Sequence, residues 1–125
     1  MIPGITQLEL ANAAVTTSGD RFQHMDLAAD GGTTTRRSHI IDPATGEPLT
    51  TRVEVVVVAR TGVEADALAT ALSVMGPERG LALLAKLPRT SARWRYETQR
   101  RPVVTSAGWP TPALRIHANP GIATF

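Results

Sequence analysis

Two short stretches of this sequence combine residue types that can do chemistry. The first is Asp66 and Thr70, set in the alanine-rich run Asp66-Ala67-Leu68-Ala69-Thr70-Ala71-Leu72. In a helix, four residues at about 100° each bring the two side chains within about 40° of one another, one turn apart on the same face. A carboxylate and a hydroxyl so placed offer oxygen ligands to a hard cation such as Mg²⁺, which completes its shell with phosphate and water. A reading without metal is also open: Asp66 caps or solvates the first helical turn, and Thr70 bonds back to a carbonyl.

The second stretch begins at His39. A histidine can accept a proton near neutrality, so His39 is a candidate general base. The alternative is a hydrogen-bonded surface residue at a strand end, a description that also suits His24 and His117. Asp42 opens the run Asp42-Pro43-Ala44-Thr45-Gly46-Glu47-Pro48. Two prolines and a glycine in seven residues exclude a helix interior or a central strand and require a structured turn, which Asp42 can cap as an Asx residue with no catalytic duty.

The elements that must position these residues are legible from periodicity. Residues 8–18 read as a strand that ends in the turn signal Gly19-Asp20, and residues 21–38 read as a hairpin or exposed loop around Asp30-Gly31-Gly32. Val53-Glu54-Val55-Val56-Val57-Val58-Ala59 is nearly continuous in apolar character, as a strand buried on both faces would be, and predicts the centre of a sheet. Val63 to Met75 has apolar residues near helical period and stops at Gly76. Pro77 then opens a second helix that runs to Leu87, separated from the first by a tight corner. Residues 92–97 and 102–105 read as closing strands, and residues 109–125 as an irregular tail.

Composition narrows the function classes. The chain has 125 residues, 42% of them apolar, enough for one domain with a core built from Val, Leu, Ile and Ala. No cysteine is present, which excludes disulfides, thiolate metal sites and a cysteine nucleophile. The formal charge of +2 is too small to argue for a nucleic-acid partner, and none is expected. Lys86, Arg89, Arg93, Arg95, Arg100 and Arg101 form a local basic cluster without aromatic interleaving, which reads as the solvated face of strands and loops, with an anion-binding patch as the alternative. No run approaches the roughly 20 apolar residues of a membrane span, and Met1-Ile2-Pro3-Gly4 has no signal-peptide character.

His39-Ile40-Ile41-Asp42-Pro43-Ala44-Thr45-Gly46-Glu47-Pro48 resembles the HIIDPxTGxP signature of the ApbE flavin transferases, and Asp66 to Leu72 resembles their DALATAL helix. Ala14-Val15-Thr16-Thr17-Ser18-Gly19-Asp20 is similar to the family's AVATSGD segment, and Val74 to Leu81 continues the likeness. The resemblance runs from about residue 8 to about residue 88. It implies Mg²⁺-dependent transfer of FMN from FAD to a threonine of an acceptor protein, with Asp66 and Thr70 as metal ligands and His39 taking the proton from the threonine hydroxyl. It further implies that Ile40 and Ile41 belong to the flavin-proximal wall and that Asp42 fixes the turn that holds the histidine.

The DLGGIAKG-like segment that members of the family place upstream has no counterpart here. The expectation is therefore a single domain, residues 1–125, that forms the C-terminal portion of a flavin transferase and is incomplete without the other half. A noncatalytic flavin- or partner-binding module and an FAD hydrolase releasing FMN and AMP are the alternatives. Apolar surface exposed by the missing half would favour a homo-oligomer. The resemblance implies an extracytoplasmic or periplasmic location, with the cytoplasm open. The fold expected is α+β: a mixed or antiparallel sheet with two consecutive helices on one face.

Overall fold

The computed structural model describes residue 8 and residues 10–20, 24–97 and 103–110. Its strands are β1 (Ala14–Gly19), β2 (His24–Ala28), β3 (Thr34–Ser38), β4 (Ile41–Asp42), β5 (Glu47–Pro48) and β6 (Val53–Ala59). Helix α1 (Gly62–Leu84) follows, then β7 (Ser91–Tyr96) and β8 (Val104–Thr105). The expected α+β arrangement is present, and the sheet is antiparallel throughout: β1, β6, β7 and β8 lie side by side in that order. β2 with β3, and β4 with β5, make two separate antiparallel pairs.

β6 lies between β1 and β7, as its sequence requires. Alternation sends Val53, Val55, Val57 and Ala59 to one face, where they join Ala92 and Trp94 of β7 and Ala65, Ala69, Leu72 and Leu84 of α1 in a single core. Val56 and Val58, on the opposite face, are also buried. The helix supplies its buried stripe at spacings of three and four residues, through Ala65, Ala69, Leu72 and Ser73. Ser73 tolerates this position because its hydroxyl donates to the Ala69 carbonyl at 2.8 Å.

Two helices joined by a corner were expected; the structure has one helical element with a kink. The break falls at Gly76, whose φ of 73° and ψ of 173° are non-helical. That region is open essentially only to glycine. Pro77, which lacks an N–H and whose ring would strike the carbonyl four residues back, makes the break necessary. Helical bonding resumes at once, so the two stretches remain one element. At the far end the helix stops at Leu84, with Ala85 as its C-cap.

Trp94 occupies the notch. Its indole N–H donates to the Leu72 carbonyl at 3.1 Å, satisfying a carbonyl in the last turn before the kink. Its six-membered ring lies over Gly80 in the second stretch, where a Cβ would sit 2.5 Å from Cζ2 of Trp94 and 2.9 Å from Cδ2 of Leu72. The tail expected over residues 109–125 lies, beyond Pro110, outside the described residues, as do Pro102, Arg100 and Arg101.

These two glycines separate backbone strain from crowding. Gly76→Ala should cost about 1–3 kcal/mol through its φ alone, since open space surrounds that position. Gly80→Ala should cost a similar amount through overpacking, with alanine's better helix propensity of about 1 kcal/mol offsetting part of it. Urea denaturation in a Trp94→Leu background distinguishes them: the Gly80→Ala penalty should shrink and the Gly76→Ala penalty persist. A Gly80→Ala variant as stable as the parent in the presence of Trp94 would contradict the notch.

Candidate active site

Asp66 and Thr70 are exposed on α1, on the flank of the stripe that packs on the sheet. The capping role open to Asp66 is taken elsewhere. Thr61 is the N-cap: its Oγ1 accepts from Glu64 N at 3.2 Å, and Glu64 Oε2 accepts from Thr61 N at 3.2 Å, a closed capping box. The back-bonding hydroxyl described within the helix is Ser73's. A carboxylate and a hydroxyl thus stand one turn apart at the surface with their oxygens available to a ligand.

These oxygens suit a hard cation and would form part of its shell, with phosphate and water completing it. Among the described residues no group of three or more His, Cys, Asp and Glu could hold a metal by itself. Two ligands therefore fit a metal carried in with a phosphate-bearing substrate better than a cage made wholly of protein.

His39 follows β3 directly and is exposed, between buried Ser38 and buried Ile40. The backbone on either side of it is fastened. Ser38 N donates to Leu49 O at 3.3 Å, Leu49 N donates to Ile40 O at 2.9 Å, and Ile40 N donates to Ser38 Oγ at 3.1 Å. Ile40 is 6% exposed and Ile41 is 48% exposed. Of the two residues expected to line a flavin wall, Ile41 has the side chain available to a ligand, while Ile40 anchors the segment.

Asp42 is a turn cap. Its Oδ1 accepts from Ala44 N at 2.9 Å, and its carbonyl accepts from Gly46 N at 2.8 Å and from Thr45 N at 3.3 Å. Thr45 Oγ1 accepts in turn from Glu47 N at 3.2 Å, and Gly46 takes the positive φ, 72°, that closes the turn. The carboxylate shapes the loop that follows His39. Helical spacing brings Asp66 and Thr70 together, and the turn gathers residues 39–42; the two sets stand on different elements.

Sequence reasoning missed an ionic cluster at the end of β1. Asp20 is buried, and Arg36 approaches it through Nε–Oδ2 at 3.4 Å while Arg36 Nη2 donates to the Asp20 carbonyl at 2.7 Å. His24 Nδ1 donates to the same carbonyl at 3.0 Å, a hydrogen-bonded role of the kind expected for it. Arg36 Nη1 also lies 3.6 Å from Glu97 Oε2, which Arg52 meets at 3.1 Å. The period of two along β3 was the available signal, because it puts Arg36 and Ser38 on one face. Of the basic cluster, Lys86 and Arg89 are exposed as a solvated face requires, whereas Arg93 and Arg95 are half-buried, and Arg95 pairs with Glu54 across the β6–β7 ladder at 3.4 Å.

Residues 3–94 match the model of the ApbE family. The chain is 46% identical over 77 residues to the FAD:protein FMN transferase of Vibrio cholerae serotype O1, covering 61% of this chain and 22% of that protein. It is 38% identical over 104 residues to the enzyme of the same name from Treponema pallidum, covering 81% of this chain and 26% of the relative. The fold is similar to the apo crystal structure of Pseudomonas stutzeri flavinyl transferase ApbE, with a TM-score of 0.57 and 35% identity over 79% of this chain and 30% of that one. A mutant of the Vibrio cholerae flavin transferase gives a TM-score of 0.56 at 36% identity, over 76% of this chain and 30% of that one. The chain therefore spans less than a third of the length of these relatives.

Ser38→Ala removes the acceptor for a buried amide beside His39 and should cost about 1–3 kcal/mol, the penalty for an unsatisfied buried donor. Ser38→Thr, which keeps the hydroxyl, should cost less. Thermal unfolding of the two variants checks this, and equal losses would argue against the Ser38–Ile40 bond as the source.

Proposed function

The chain belongs to the ApbE family, and from that membership we propose that it supplies the metal-binding and proton-accepting part of a flavin transferase that moves FMN from FAD to a threonine of an acceptor protein. The observation that carries the reading is the pairing of Asp66 and Thr70 on the exposed face of α1, free of the capping box and of the core. The names of the relatives, all FAD:protein FMN transferases, supply the substrate and the class of acceptor.

In the proposed reaction the threonine hydroxyl oxygen attacks the phosphorus of the FMN portion of FAD. A new P–O bond forms to threonine, the P–O bond to the AMP phosphate breaks, and AMP leaves with the electron pair. The hydroxyl proton passes to His39, which its fastened neighbours hold at the surface. Asp66 and Thr70 would hold Mg²⁺ beside the pyrophosphate, where the cation would neutralise charge developing on the phosphate oxygens. Ile41 would meet the flavin side of the substrate, and the Asp42–Gly46 turn would keep His39 in place. Since the chain spans 22% to 26% of its named relatives, further substrate contacts would come from polypeptide outside it.

The test is incubation with FAD, Mg²⁺ and a threonine-bearing acceptor, with mass spectrometry for FMN addition and AMP release, on this chain and on a longer polypeptide that contains it. Asp66→Ala should lower transfer by more than about a hundredfold, because metal stabilisation of the developing charge is worth several kcal/mol. Chelation should do the same to the parent. Full activity of Asp66→Ala would remove the metal from this helix. FMN and AMP released without acceptor labelling would identify a hydrolase, and FAD binding with no turnover in either polypeptide would identify a binding module.

A further inference from the structure

The turn, the hairpin and the helix that carry the proposed site are not joined by a common sheet. Among the described residues β3, which leads into His39, pairs with β2 alone, and the β4–β5 turn is a ladder of its own. Among the described residues neither pair shares a ladder with the four-stranded sheet on which α1 rests. A link between the two bodies is Arg36, three residues before His39. Pairing of His24 with Ser38 and of Asp26 with Arg36 sets these four side chains on one face of the hairpin, and Met25, Leu27, Thr35 and Arg37 on the other. The first face meets the end of β1.

There the guanidinium makes one hydrogen bond and two ion contacts with residues that end strands of the main sheet. Nη2 donates to the carbonyl of Asp20, Nε faces the Asp20 carboxylate, and Nη1 faces Glu97, which follows β7. The side chains of Arg36 and Asp20 are 15% and 7% exposed, so water competes weakly for either. β1, whose end carries Asp20, is packed against α1. A planar fork with fixed donor directions thus sets the hairpin against the strand that supports the helix of Asp66 and Thr70.

We propose that Arg36 is a positioning residue: through Asp20 and Glu97 it sets where His39 stands relative to Asp66 and Thr70. The inference rests on the reading of His39 as proton acceptor, and two measurements keep their failures apart. The chain has no cysteine, so Met25→Cys on β2 and Val63→Cys on α1, both at exposed positions, accept a unique pair of spin labels. Pulsed electron paramagnetic resonance should give one narrow distance in the parent. The distribution should broaden or shift in Arg36→Lys, which keeps the charge and loses the fork, and further in Arg36→Met, while the combined emission of Trp94 and Trp109 keeps its maximum. An unchanged distance in Arg36→Lys and in any Arg36→Met protein that keeps that maximum would overturn the proposal; if Arg36→Met unfolds, Arg36→Lys decides.

In the FMN-transfer assay, a misplacement on the order of 1 Å predicts up to about a hundredfold loss of kcat in Arg36→Lys with KM for FAD unchanged. No further loss should follow in a His39→Ala background. Equal losses in both backgrounds would show that Arg36 does not act through His39 and would overturn the assignment. If His39→Ala leaves transfer intact, the proton-acceptor reading fails, while the label distance still decides whether Arg36 places the loop.

Discussion

The indole of Trp94 meets both stretches of α1 at once, donating to Leu72 on one side and lying against Gly80 on the other. A helix that breaks at Gly76 has carbonyls in its last turn open to an outside donor and a bend to fill. Trp94 meets the Leu72 carbonyl and fills the bend from β7, a strand paired with the valine-rich β6. The bend is therefore held by the sheet, and the direction of the helical stretch that carries Asp66 and Thr70 follows from it. Small residues at 65, 69 and 80 are part of the same arrangement, because they let the helix lie close to the valines and to the indole.

The two parts of the proposed site are held by different forces. Asp66 and Thr70 inherit their position from an apolar core that is insensitive to salt. His39 inherits its position from hydrogen bonds on either side of it and from a partly buried ion pair, Arg36 with Asp20. Charge-assisted bonds have direction, which apolar packing lacks, and a residue proposed to accept a proton at one point in space gains more from direction than from adhesion.

Much of this fold is legible from residue order. The unbroken valines of β6 announce a strand with neighbours on both sides, and the prolines and glycine after Asp42 announce a turn. The spacing of Asp66 and Thr70 puts them on one helical face before any coordinates are known. The period of apolar residues also finds the break at Gly76, but it cannot say whether a break separates two helices or bends one. That depends on Trp94, eighteen positions away from Gly76 in sequence and in contact only after folding. Arg36 escapes for a similar reason. An arginine in a polar strand reads as solvated until the carboxylate that buries it, sixteen residues earlier, is brought alongside.

The turn from Asp42 to Gly46 closes its hydrogen bonds among residues of its own segment, whereas β1 must find β6 across a separation that joins Ala14 to Ala59. Loops of about ten residues close in about 10–100 ns and hairpins form in about 1–10 μs, and long-range strand pairing is slower because chain entropy opposes it. The histidine loop is therefore closed by contacts that cost little chain entropy, while the sheet beside it is closed by costly ones. The ionic contacts at the end of β1 join the local part to the long-range one.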